Sequence, residues 1–287
     1  MSETVSSILR QMTSVLEHSL GHEATSAARA IVCDYFGYSF TQLVTHYPDA
    51  VDADVADVLL GQADLVSHDI PLQYVTGKAS FAGLDFHVEP GVLIPRPETE
   101  GLVALVSQWA KDREVDILDI GTGSGCIALA LSNELPNSTV MAIDASDEAV
   151  RIAQENATRL ALDVDICKMD VFSADMDSLI VSNGPFDVVV SNPPYIKESE
   201  RKEMRPNVLD HEPEMALFVP DSDPLMFYRR IARLCRAGLL TSEGSLFFEI
   251  NEALGGEMEA MLSAEGFSKV EIHKDYVGRD RFAVALL

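Results

Sequence analysis

Val115-Asp116-Ile117-Leu118-Asp119-Ile120-Gly121-Thr122-Gly123-Ser124-Gly125-Cys126-Ile127-Ala128-Leu129 is the stretch from which the fold follows. A short apolar run leads into three glycines at alternate positions, and those lead into a second apolar segment. That order reads as strand, tight turn and helix. The same alternation continues downstream. Strands are expected at 116–120, 139–143, 164–168, 186–190, 244–250, 269–273 and 282–286, with helices near 126–134, 147–162, 224–240 and 254–265. Strands separated by helix-length segments make a doubly wound, Rossmann-like α/β sheet, here of seven strands. Such sheets bind ligands at the carboxyl ends of their strands.

Upstream of this block the pattern changes. Val5, Ile8, Leu9, Met12, Val15, Leu16 and Leu20 recur at helical spacing. So do Ala27, Ala28, Ile31, Val32 and Tyr35, with further helical segments near 39–46 and 52–68. This predicts a small helical bundle over residues 1–72. From Ala79 to Ile94 apolar residues alternate among glycines, predicting a β-hairpin within a linker over 73–96. Pro95-Arg96-Pro97-Glu98-Thr99-Glu100 then opens a helix, with proline near its first turn and acids that favour the dipole. Residues 97–287 form the α/β domain.

The net charge of −25 disfavours broad contact with phosphate backbones and suits a protein or small-molecule partner. The four cysteines, Cys33, Cys126, Cys167 and Cys235, are scattered with no histidine at ligand spacing. They read as reduced thiols, and no metal site is expected. No basic segment followed by an apolar one opens the chain, and no apolar run approaches the ~18 residues of a membrane span. The expectation is a cytoplasmic protein, monomeric and away from membranes.

Four strand ends carry the chemistry. The first carries Gly121-Thr122-Gly123-Ser124-Gly125, a backbone that turns sharply and allows close approach. Alone this is a weak signal; a dinucleotide site favours a further glycine where Cys126 stands, and a phosphate loop would end in Gly-Lys-Ser/Thr. The second ends at Asp144, an acid able to accept both hydroxyls of a ribose; its plain alternative is capping of the next helix. The third ends at Asp170 and Val171, which suit an adenine's amine and faces, while Phe172 beside them reads as core. The fourth ends in Asn192-Pro193-Pro194-Tyr195. Proline fixes the backbone and removes donors. The Asn192 side chain and Pro193 carbonyl can then converge on one NH₂ group, with the Tyr195 ring stacked on its plane. The plain alternative is a rigid turn. The sequence of ends (glycines, acid, acid with apolar neighbours, amine holder) matches S-adenosylmethionine better than NAD, since nothing demands a pyrophosphate.

With these residues in hand the chain resembles the peptide chain release factor glutamine methyltransferases. The likeness rests on Pro71-Leu72-Gln73-Tyr74-Val75-Thr76-Gly77, on Phe81-x-Gly83-Leu84-x-Phe86-x-Val88 and on Val92-Leu93-Ile94-Pro95-Arg96-Pro97-Glu98-Thr99-Glu100. It extends through Asp119 to Gly125, Asn192 to Tyr195 and Asp275-Tyr276-x-Gly278-Arg279-Asp280-Arg281. It implies a class I methyltransferase domain that moves a methyl group from S-adenosylmethionine to the side-chain amide of the Gly-Gly-Gln glutamine of release factors. By motif position, Gly121, Thr122, Gly123, Ser124, Gly125, Asp144, Asp170, Val171 and Asn192 would hold the cofactor. Asn192, Pro193 and Tyr195 would be catalytic, with Pro194 beside them on the substrate. The helical residues 1–72 read as the part that recognises the protein substrate, or equally as a module for stability. The family often has an aromatic residue where Val171 stands, and Asn251-Glu252-Ala253-Leu254-Gly255-Gly256 departs from its commoner glycine-glutamine pattern.

Other readings stay open at this point. An adenine amino-methyltransferase on nucleic acid shares the Asn-Pro-Pro-Tyr loop, although the charge argues against it. An NAD-dependent oxidoreductase would explain the glycines and Asp144 but leaves that loop unexplained. A non-catalytic binder of S-adenosylmethionine is the third. Arg96, Glu98, Arg279 and Arg281 read as members of structural ion pairs.

Overall fold

The computed structural model describes residues 3–287, and these divide into two compact units. One comprises the described residues up to Lys78 together with Arg205–His211; the other comprises Ala79–Met204 and Glu212–Leu287.

The first unit is built of helices Val5–Leu20, Ala24–Phe36, Phe40–Thr45, Ala53–Ser67 and Leu72–Thr76. Thr4 starts the first of them by a reciprocal cap. Its hydroxyl accepts the Ser7 N–H at 3.2 Å, and the Ser7 hydroxyl accepts the Thr4 N–H at 2.8 Å. The buried stripe of Ile8, Met12 and Leu16 closes on Ala28, Ile31, Leu43 and Leu59. The expected apolar faces are narrower than their composition suggests. Val15, Tyr35, Val58 and Leu65 stay exposed, because each lies beyond the arc that a neighbouring helix covers. A two-residue pairing of Glu3–Thr4 with Ala50–Val51, unseen in the sequence pattern, accompanies the bundle.

Strands Lys78–Phe81 and Leu84–His87 pair as a hairpin that, but for Lys78, belongs to the second unit. The expected hairpin is longer; residues 88–94 are irregular and bury Val88, Val92 and Ile94 instead. Pro97–Thr99 makes one 3₁₀ turn that runs into helix Glu100–Trp109.

The seven-stranded sheet holds β1 (Asp116–Ile120), β2 (Thr139–Asp144), β3 (Asp165–Lys168), β4 (Phe186–Ser191), β5 (Leu240–Glu249), β6 (Lys269–Lys274) and β7 (Asp280–Leu286). Their order across the sheet is β6-β7-β5-β4-β1-β2-β3, with β7 antiparallel to both neighbours and the other pairings parallel. The central strands are covered on both faces, so Ile117, Leu118, Val188, Val189 and Val190 are all buried. The chain reverses its direction of travel between β1 and β4, and the ends of β1, β2 and β4 surround that switch point.

The helices Cys126–Glu134, Asp147–Leu160 and Gly255–Ala264 lie within a few residues of their expected positions, and a fourth spans Met226–Leu234. The expected helix over 224–240 is shorter. Gly238 at φ +116° ends its wide last turn, and β5 begins at Leu240 rather than at 244. Helix Asp175–Ser182 carries only Met176 and Leu179 as buried anchors, too few to stand out in the sequence. Among the described residues no helix is long and apolar enough to cross a membrane, and no group of three potential ligands could hold a metal ion. All four cysteines are free thiols.

Candidate active site

The glycine turn folds back over the end of β2. The N–H groups of Gly121 and Thr122 donate to the Ile143 carbonyl at 2.8 and 3.1 Å. The Gly123 N–H donates to Asp144 Oδ2 at 2.9 Å, and the Ser146 N–H donates to Asp144 Oδ1 at 2.9 Å. Two backbone donors therefore hold the carboxylate still, each using one of its lone pairs. Burial nevertheless raises the pKa of Asp144. Gly121 and Gly123 sit at φ +76° and +56°, and a Cβ at either would meet no protein atom within 4 Å. Conformation requires the glycines there, and their cavity side carries no side chain.

The other three residues of the turn have structural roles. The Thr122 hydroxyl donates to Asp119 Oδ2 at 2.7 Å. Ser124 is buried, and its carbonyl accepts Asn156 Nδ2 at 2.9 Å. Gly125 caps the next helix. Thr122, Ser124 and Gly125, expected among the ligand-contacting residues, do not line the cavity, whereas Gly121 and Gly123 do. Two groups supporting the turn carried no expected role. Asn156 is fully buried and also bonds both backbone groups of His87. Asp119 is fully buried too, and burial pushes its carboxyl up to about 7 against the opposing Thr122 hydrogen bond.

Gly121, Gly123, Asp144, Asp170, Val171, Asn192, Pro193 and Pro194 share one cavity of about 440 Å³, a size that suits a small-molecule cofactor. Asp170 Oδ1 accepts the Phe172 N–H at 2.8 Å, and the Val171 carbonyl accepts Arg230 Nε at 2.8 Å. Phe172 is not core: it is 43% exposed, lines the cavity and meets the Phe227 ring edge-on at 5.2 Å. Leu93, Met215, Phe218 and Phe227 complete an apolar wall that no sequence motif announced.

At the end of β4 the Ser191 hydroxyl donates to the Ile120 carbonyl at 2.6 Å, tying β4 to β1 just before Asn192. Asn192 Nδ2 donates to Thr99 Oγ1 at 3.4 Å. Thr99 in turn donates to Glu249 Oε2 at 2.6 Å, and the Tyr195 hydroxyl donates to Glu249 Oε1 at 3.2 Å. Tyr195 thus departs from the expected stacking position. It is absent from the cavity lining and packs on the core beside Glu249, with its carbonyl bonded by Asn251 Nδ2 at 3.3 Å. Burial raises the pKa of both Tyr195 and Glu249. Glu249 is 1% exposed and was missed in the sequence; its only signal there was an acid at the end of an apolar strand.

Arg96, Arg279 and Arg281 form the expected ion pairs, with partners that spacing did not reveal, while Glu98 does not. Arg96 meets buried Glu212 at 2.5 Å, and Glu212 also accepts the Ile94 N–H at 3.1 Å. Glu98 instead accepts the Tyr276 hydroxyl at 3.3 Å. Arg279 and Arg281 approach Glu252 at 2.9 and 3.7 Å.

Two family models match the chain: the methyltransferase small domain over residues 83–212 and the PrmC N-terminal domain over residues 7–77. The chain is 50% identical over 215 residues to the release factor glutamine methyltransferase of Bacteroides thetaiotaomicron, covering 75% of each. It is 43% identical to that of Flavobacterium psychrophilum, covering 74% of this chain and 73% of the relative. It is 34% identical to that of Enterococcus faecalis over 250 residues, 87% of each. Among solved structures, the T. thermophilus 16S rRNA N2 G1207 methyltransferase, in complex with AdoMet and guanosine, aligns with a TM-score of 0.52. That alignment has 19% identity and covers 73% of this chain and 49% of that one. A methyltransferase from Pyrococcus furiosus aligns with a TM-score of 0.50 at 19% identity over 71% and 88%. At these identities the likeness shows the fold alone, the class I methyltransferase sheet.

Proposed function

The chain belongs to the release factor glutamine methyltransferases, and from that premise we propose how its cavity divides the work of methylating the Gly-Gly-Gln glutamine. The reaction transfers a methyl group from S-adenosylmethionine to the side-chain nitrogen of a release factor glutamine. The relatives act, by name, on that residue, and they lend no support to an adenine acceptor on nucleic acid.

The residues present fit the cofactor. Gly121 and Gly123 present bare backbone to the cavity, and Asp144 keeps lone pairs beyond those taken by Gly123 and Ser146. Those lone pairs suit two ribose hydroxyls. Asp170, Val171 and Phe172 offer an acceptor and apolar surface for an adenine. When bound, the cofactor supplies an electrophilic methyl group on a sulfonium. The protein's part is then mainly orientation, because an amide nitrogen is a poor nucleophile. Asn192 Oδ1 and the Pro193 carbonyl accept the two amide hydrogens, aim the nitrogen and stabilise the positive charge that grows on it. Pro193 and Pro194 wall the site, while Tyr195 steadies Glu249 from behind. Among the described residues lining the cavity, the titratable side chains are Asp144 and Asp170, and no base stands beside Asn192. The methylated amide therefore sheds its proton to water.

In this reading residues 1–72 recognise the release factor, 73–96 connect, and 97–287 carry the chemistry. On the same reading the protein works as a monomer in the cytoplasm, the location supported by its substrate's place in translation. The observation that carries the reading is the convergence of Gly121, Gly123, Asp144 and Asn192 on one cavity. The test is transfer of labelled methyl groups to a purified bacterial release factor and to its Gly-Gly-Ala variant. Label on the first alone is expected. Label on both would move the acceptor elsewhere.

A further inference from the structure

An asparagine that holds a substrate amide has to present its oxygen and not its nitrogen. The two ends of a carboxamide have nearly the same shape, so sterics alone do not choose between them. Something behind Asn192 has to make the choice. The Asn192 side chain is backed by the Thr99 hydroxyl, and Thr99 is 2% exposed. Thr99 stands at the N-cap of helix Glu100–Trp109, where a threonine hydroxyl ordinarily bonds the first turn, yet its side chain makes no cap bond. Its one proton goes instead to Glu249 Oε2 at 2.6 Å.

Both Glu249 oxygens face hydroxyl groups, Thr99 and Tyr195 at 3.2 Å, and these bonds together with the nearby Arg281 charge favour the carboxylate against the burial that raises its pKa. With its proton committed, the Thr99 oxygen has only lone pairs left to offer. The Asn192 atom that faces it must then be the NH₂ group, which leaves Oδ1 for the substrate side.

We infer that Thr99 and Glu249 are positioning residues whose fixed hydrogen-bond direction holds Asn192 with its oxygen toward the acceptor amide. The inference rests on the assignment of Asn192 as the amide-holding residue. Reversing the direction at Thr99 would present Asn192 Nδ2 to the substrate NH₂, donor against donor. The Thr99–Glu249 pair therefore acts on the transfer step and leaves the glycine turn and Asp144 untouched.

The experiment compares Thr99→Val, which keeps the shape and removes the hydroxyl, with Thr99→Ser, which keeps the hydroxyl. Each is assayed for kcat/KM on a purified release factor and for S-adenosylhomocysteine affinity by calorimetry. The expectation is a fall of about 10- to 100-fold in kcat/KM for the valine variant, the size of a lost buried hydrogen bond and a misaligned acceptor. The serine variant should stay within about threefold of the wild type, and both should keep cofactor affinity within about threefold. A valine variant as active as the wild type overturns the inference. So does a loss shared equally by both variants with cofactor affinity falling in step, since that is loss of structure. A wild type that transfers nothing to the release factor overturns the functional reading itself, and the inference with it.

Discussion

The two sides of the cavity are built from different materials. On its cofactor side the glycine turn is backbone held by one carboxylate, between Gly121 and Ser146, with bonds from Gly121, Gly123 and Ser146 that reach no further than 22 residues along the chain. Its acceptor side is a set of side chains gathered from far apart: Asn192 and Thr99 lie 93 residues apart, and Thr99 and Glu249 lie 150 apart. A backbone turn has fixed donors and cannot present them the wrong way round. A carboxamide can, so the acceptor side needs a buried relay to hold its direction. A flexible, many-atom ligand is met by short-range geometry, and a single amide nitrogen is met by long-range order.

That contrast predicts separable damage. The largest effect is expected from Asn192→Ala. Methyl transfer should fall by ~10²–10³-fold, as for loss of one group that meets developing charge, while cofactor affinity changes little. Single-turnover transfer beside calorimetry checks this, and equal loss of both would merge the two sides into one. Asp144→Ala should do the converse. Cofactor affinity should weaken by about 10- to 100-fold through lost charge-assisted hydrogen bonds, with transfer at saturating cofactor much less affected.

Gly101→Ala probes how the acceptor side is held in place. A Cβ there would lie 2.6 Å from the Phe282 ring, and Phe282 pairs with Glu249 in the sheet. Either the Phe282 ring or the start of the helix capped by Thr99 must then shift, at ~1–3 kcal/mol for overpacking and about 2–4 °C of Tm per kcal/mol in a chain of this size. Thermal unfolding measures the cost, and transfer should suffer more than cofactor affinity.

The effect that reaches the reaction least lies beneath the cofactor side. The buried Asp119 carboxyl is pushed up to about 7 from an ordinary 3.8. Below about pH 4 the group is neutral in both the folded and the unfolded chain and carries no penalty. As pH rises toward 7 the unfolded chain ionises it first, so stability is lost across that window and levels off above it. Asp119→Asn should flatten this part of the Tm–pH curve for the cofactor-free protein. An unchanged slope would place the titration elsewhere.

The same division governs what could be read without coordinates. The turn from Gly121 to Gly125 and the acid Asp144 are legible because their geometry is local: glycine conformations and a strand end imply one another over a few residues. The parallel core strands are legible as apolar runs. Val188, Val189 and Val190 announce a strand covered on both faces. Glu249 is opaque because nothing in a one-dimensional pattern brings the end of β5 to Thr99. Tyr195 was misplaced for a related reason. After two prolines the ring could face either the cavity or the core, and Glu249 decides it by accepting the hydroxyl. Phe172 differs the opposite way, since composition reads an aromatic residue as core and its place on the cavity wall, edge-on to Phe227, leaves it exposed. The long helix expected over 224–240 shows how one residue resets an element: Gly238 adopts a positive φ that ends the helix and lets β5 start early.

The most direct measurement of the central claim is mass-spectrometric mapping of a purified release factor after incubation with the protein and S-adenosylmethionine. The account predicts one added methyl group, located by fragment ions on the side-chain nitrogen of the Gly-Gly-Gln glutamine. A methyl group on a different residue, or none on the release factor while a nucleic acid offered in parallel is methylated, would contradict it.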